Sequence, residues 1–102
     1  MGFWGELSKL ALDGVTAGAA ATDPATIRQV QREVLDILDH PMFDQNRLIE
    51  DYINARRRVE RAVIIMVVER WIASLPEFNS LRTDLEGFLI HFKLLYNMNA
   101  GE

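Results

Sequence analysis

QNRLIEDYINARRRVERAVIIMVVERWIASL, residues 45–75, lies between Pro41 and Pro76 and contains neither glycine nor proline, so no residue in it is of a type that interrupts a helix. At about 100° per residue, Leu48, Ile49, Tyr52, Ile53, Ala55, Val59, Ala62, Val63, Met66 and Val67 share an arc of roughly 180°. Arg47, Glu50, Asp51, Asn54, Arg57, Arg58 and Arg61 occupy the opposite side and, with Glu60, are expected to face solvent, which marks an amphipathic helix. Beyond Arg61 the run Ala62–Val68 is apolar all round, and Ile64, Ile65, Val68, Ile72 and Leu75 take angles that are polar two turns earlier. This second half therefore requires cover on two sides. Arg70 falls in the middle of the first stripe, which is expected to end there. Valine and isoleucine also favour strands, but no second strand-like run pairs with residues 62–68, and a lone strand is not stable.

The flanking segments read as shorter helices. Phe3, Leu7, Leu10, Ala11 and Gly14 fall on one face of a short N-terminal helix over about residues 2–13. GVTAGAAAT (14–22) is a small-residue stretch, either a linker or an extension that approaches a neighbour closely. Asp23-Pro24 is a helix start, with Asp23 as cap and Pro24 at the first position. Ile27, Val30, Val34, Leu35, Ile37 and Leu38 form the stripe of the helix that follows, over about 24–39. His40-Pro41 ends it, and Asp44 is expected to cap the central helix, with Phe43 and Leu48 as a hydrophobic staple. After Pro76 a last helix begins at an Asn79 or Ser80 cap. Leu81, Leu85, Phe88, Leu89, Phe92, Leu95 and Tyr96 line one of its sides, and Ile90, Leu94 and Met98 the other.

These elements specify an all-α fold: a small helical bundle of three major helices plus a short N-terminal helix, with one long central helix. A single domain is expected over 1–102, divided into an N-terminal helix and linker (1–23) and a helical core (24–98). At about 1.5 Å per residue the central helix would reach about 45 Å and its neighbours about 25 Å each. Part of it would then stand bare over the apolar surplus of residues 62–75.

Composition narrows the class. The chain is 49% hydrophobic and 25% charged, with a net charge of −4 and no cysteine. A globular chain without a disulfide framework or thiolate metal site follows, and a cytoplasmic location is the expectation. The longest strongly apolar run falls well short of the roughly 20 residues needed to span a bilayer. The acidic balance disfavours nonspecific nucleic-acid binding. Charge is nonetheless uneven, since residues 47–61 hold five arginines against three acids.

No chemistry-bearing motif stands out. His40 and His91 lack catalytic company, and Asp36 with His40 would make only half of a metal site. Phosphate loops, nucleophile elbows and cysteine nucleophiles are missing. No catalytic, cofactor or metal residue is assigned, and the chain is not expected to be an enzyme.

The leading expectation is a small non-catalytic interaction module, of the adaptor, chaperone, immunity or inhibitor kind, that self-associates as a dimer. Ile64, Val68, Trp71, Ile72, Ile90 and Leu94 are the candidate interface. Arg56, Arg57, Arg58 and Arg61 form a candidate electrostatic site for an acidic protein partner, because guanidinium forks pair with carboxylates. One alternative is a peripheral membrane protein anchored by Phe3 and Trp4 on the N-terminal amphipathic helix. Another is a nucleic-acid-binding regulator using the arginine cluster. The first is disfavoured by Glu6 and Asp13, which leave only Lys9 to attract anionic lipid, and the second by the acidic charge balance.

Overall fold

The computed structural model describes residues 20–98, with side chains through Tyr96. The expected N-terminal helix and most of the small-residue stretch lie outside these residues. Within them the fold is all-helical, with α1 (Pro24–Leu38), α2 (Met42–Asn54), α3 (Arg58–Ser74) and α4 (Ser80–Met98) and no strand. The principal contacts are α1–α2, α2–α4, α4–α3 and α3–α1, so the four helices close a ring around one core.

The expected long central helix is two helices. The chain leaves α2 at Asn54 and enters α3 at Arg58, with Arg57 extended at φ −77° and ψ 164°. Side chains compensate the backbone groups that the interruption exposes. Arg61 Nε donates to the Ile53 carbonyl at 2.9 Å, and the Arg57 N–H donates to Glu60 Oε1 at 2.6 Å. Unmade hydrogen bonds at helix ends would otherwise oppose the break. Glycine and proline are not needed when nearby arginine and glutamate side chains supply the partners.

The break changes which residues are buried. α3 buries Glu60, Val63, Ile64, Val67 and Val68, a single stripe at helical spacing, so Glu60, expected on the solvated face, is instead enclosed with its carboxylate accepting from the Arg57 N–H. The azimuth of this stripe differs from that of Ile49, Tyr52 and Ile53, the buried residues of α2. Ile64 and Val68, surplus on a continuous helix, are thus fully buried by their own chain. The length mismatch disappears as well, since the helices run 15, 13, 17 and 19 residues. Arg70 is exposed, as expected where the first stripe ends.

Helix starts follow local chemistry with one exception. Asp23 Oδ2 accepts from the Thr26 N–H at 2.9 Å and from its hydroxyl at 3.0 Å, and these bonds hold the Asp23 carboxyl below the usual carboxylate range. Asn79 Oδ1 accepts from the Leu81 N–H at 2.8 Å at the head of α4. α2 instead starts at Met42 behind Pro41, which places Asp44 inside the first turn rather than at the cap. The Phe43–Leu48 staple does not form, because Phe43 is a helical residue pointing to solvent, 84% exposed. Gln45 Nε2 ties the connection instead, donating to the His40 carbonyl at 2.8 Å.

The core joins Val30, Val34 and Ile37 of α1 to Ile53, Val63, Ile64, Val67, Val68, Leu85, Phe88 and Phe92. Tyr52 meets Phe92 edge-on at 6.3 Å between ring centres. Ala20 and Ala21 are buried in the same cluster, so this end of the small-residue stretch makes a close approach.

Candidate interaction surface

α4 is amphipathic with a well-defined buried side. Leu85, Phe88, Leu89 and Phe92 face the core, and Leu81, Leu95 and Tyr96 pack at its edge. Its opposite side carries Thr83, Gly87, Ile90 and Leu94 at spacings of four, three and four, all exposed. Ile90 is 71% and Leu94 58% exposed, high values for large apolar side chains in the middle and later turns of a helix. Gly87 interrupts the same face. A Cβ built there would meet nothing within 4 Å, so packing inside the subunit does not call for glycine.

Charged residues border this ridge. Toward α3, Glu69, Ile72, Glu86, Leu89, Ile90 and Lys93 line a shallow depression of about 360 Å³. Lys93 Nζ donates to Glu69 Oε2 at 3.0 Å across it, with both side chains about half exposed. Toward α2, a groove of about 670 Å³ brings together His40, Met42, Asp84, Gly87 and His91. The two histidines thus share one groove, which their sequence separation conceals. His40 Nδ1 lies 2.8 Å from the Asp36 carbonyl, an interaction with the end of α1. Among the described residues no group of three or more His, Cys, Asp or Glu side chains is placed to hold a metal ion.

The six apolar candidates separate into three pairs. Ile64 and Val68 are in the core, Trp71 and Ile72 are half-buried against it, and Ile90 and Leu94 are exposed. Burial removes the first pair from any surface. Thr83, Glu86, Gly87 and Lys93 complete the surface around Ile90 and Leu94, and the four-three-four spacing of Thr83, Gly87, Ile90 and Leu94, with Glu86 and Lys93 seven apart beside it, is the sequence signal that would have singled them out.

The arginine cluster also divides. Arg56 turns back onto its own chain, its guanidinium 3.4 Å from Glu33 Oε2 and 4.8 Å from the centre of the Tyr52 ring. Tyr52 Oη donates to Glu33 Oε1 at 2.7 Å, and Gln29 Nε2 donates to Glu33 Oε2 at 2.9 Å. Burial, followed by the nearby Glu33 carboxylate, pushes the Tyr52 phenol well above its ordinary pKa. Arg61 is engaged by the Ile53 carbonyl. Arg57 and Arg58 remain exposed. Sequence proximity suggested one patch, whereas the helix break sends its members in different directions.

No helix among the described residues is long and apolar enough to cross a membrane. Phe3 and Trp4, the candidate anchor, lie outside those residues. Comparison with protein-family models, curated proteins and solved structures gives no match.

Proposed function

We propose that this chain is a small non-catalytic protein–protein interaction module, of the adaptor, chaperone, immunity or inhibitor kind, that self-associates through the outer face of α4. The observation that carries this reading is the exposure of Ile90 and Leu94 on a helix whose other face already fills the core. Apolar side chains at four-residue spacing between charged borders have the composition of an interface centre and its rim. Met42, exposed in the groove beside Gly87, extends the apolar surface toward α2. Two large apolar residues from each copy make a small interface. Association is therefore expected in the range of roughly tens of micromolar, below the affinity typical of a standard-sized interface.

Sedimentation of the purified protein from about 10 µM to 1 mM tests the proposal, with the dissociation range set by that interface size. Self-association that Ile90→Glu abolishes supports it. A strict monomer across the range, or association indifferent to Ile90→Glu, overturns it.

A further inference from the structure

Resting on that reading, we infer that α4 pairs antiparallel with α4 of a second copy, about a two-fold axis level with Phe88 and Leu89. Such an axis reverses the ridge and lays it upon itself. Thr83, Gly87, Ile90 and Leu94, spaced four-three-four, then form four layers in which Ile90 faces Gly87 of the second copy and Leu94 faces its Thr83. The exposed large residues meet the exposed small ones in every layer.

Gly87 is the notch in this arrangement. A glycine in a helix interior is unfavourable relative to alanine, and here the subunit's own packing does not require it. Seating Ile90 of a neighbour gives the missing side chain a physical purpose, because the two backbones can then approach closely.

The charged borders obey the same symmetry. Glu86 and Lys93 stand seven residues apart on the α3 side of the ridge, and both line the depression there. Reversal places Glu86 opposite the second copy's Lys93, and Lys93 opposite its Glu86. Asp84 and His91, also seven apart, stand in the same relation on the α2 side. With the layers centred midway between residues 88 and 89, the first pair of contacts centres one residue later and the second one residue earlier. This offset follows when the two flanks straddle a common axis. A parallel pairing would oppose each flank with the other one and leave Lys93 without an acidic partner across the interface. Isologous contacts of this kind close at two subunits.

Charge reversal tests the register. Glu86→Lys alone sets two ammonium groups against each other at both ends of the α3-side border, since the introduced lysine faces Lys93 of the second copy. Lys93→Glu alone sets two carboxylates against each other in the same places, with Glu86 facing the introduced glutamate. Each variant is expected to weaken self-association by about tenfold, as two attractive border pairs become repulsive. Mixing the two variants restores opposite charges at both positions, so the hetero-pair should form within about threefold of the wild-type affinity. Far-UV circular dichroism of each variant confirms that the monomer is folded, and sedimentation of each alone and of the mixture gives the affinities. Recovery on mixing supports the antiparallel pairing. If wild-type association depends on Ile90 but mixing restores nothing, or if neither single variant weakens it, the register is overturned while the α4 surface stands. If the wild type is a monomer throughout, both readings fail.

Discussion

Truncating Ile64 should destabilise this protein severely, whereas the same change at Ile90 should barely register. The Ile64 side chain is fully enclosed by the core, while Ile90 is 71% exposed. Isoleucine to alanine removes three carbons, worth about 0.8 kcal/mol each when buried, and leaves a cavity that neighbouring side chains fill only in part. Those two contributions place Ile64→Ala at about 3 kcal/mol. Ile90→Ala should stay within about 0.5 kcal/mol, as for most surface substitutions. Urea unfolding followed by circular dichroism measures both, at protein concentrations near 1 µM where the roughly tens-of-micromolar association is absent. The midpoint for Ile64→Ala should fall sharply with an unchanged slope, and its thermal midpoint should drop by more than about 10 °C. A loss below about 1 kcal/mol at Ile64, or an equal loss at Ile90, would refute the partition of α3 and α4 described above.

Other consequences follow from the same contacts. Gly87→Ala should raise monomer stability by about 0.5–1 kcal/mol, since alanine is the better helix former and its Cβ meets open space; a loss in dilute urea titrations would contradict that. At the helix break, Glu60→Ala should cost about 1–3 kcal/mol by removing the buried acceptor of the Arg57 N–H, while Arg57→Ala, exposed, should be close to neutral in the same titrations. The raised Tyr52 pKa favours the neutral phenol in the folded state, so stability is intact below about pH 10, the unfolded value, and is lost as pH rises above it. Stability curves measured from pH 8 to 11 should show that decline in the wild type and a smaller one in Tyr52→Phe. The Asp23 pKa is depressed by its bonds to Thr26, so its contribution is present above the unfolded value and is lost as pH falls through the folded one; Asp23→Asn should flatten that part of an acid titration.

Local patterns in the chain determined the helical class and much of the layout. Asp23-Pro24 placed the start of α1, His40-Pro41 its end, and the pair Asn79-Ser80 the head of α4, because caps and proline act over three or four residues. The two-sided character of α4 was legible for the same reason, as Leu85, Phe88, Leu89 and Phe92 alternate with Ile90 and Leu94 at helical spacing. What tertiary structure decided was the break at residues 55–57. No residue there is a helix breaker, and the interruption is supported by Arg61 reaching Ile53, Glu60 reaching Arg57, and Arg56 reaching Glu33 on another helix. Side chains that act across a turn or between helices leave no periodic signature. Because that break sets the azimuth of α3, it also decided that Ile64 and Val68 belong to the core and that the exposed apolar face is confined, among the six candidates, to Ile90 and Leu94 beside half-buried Trp71 and Ile72.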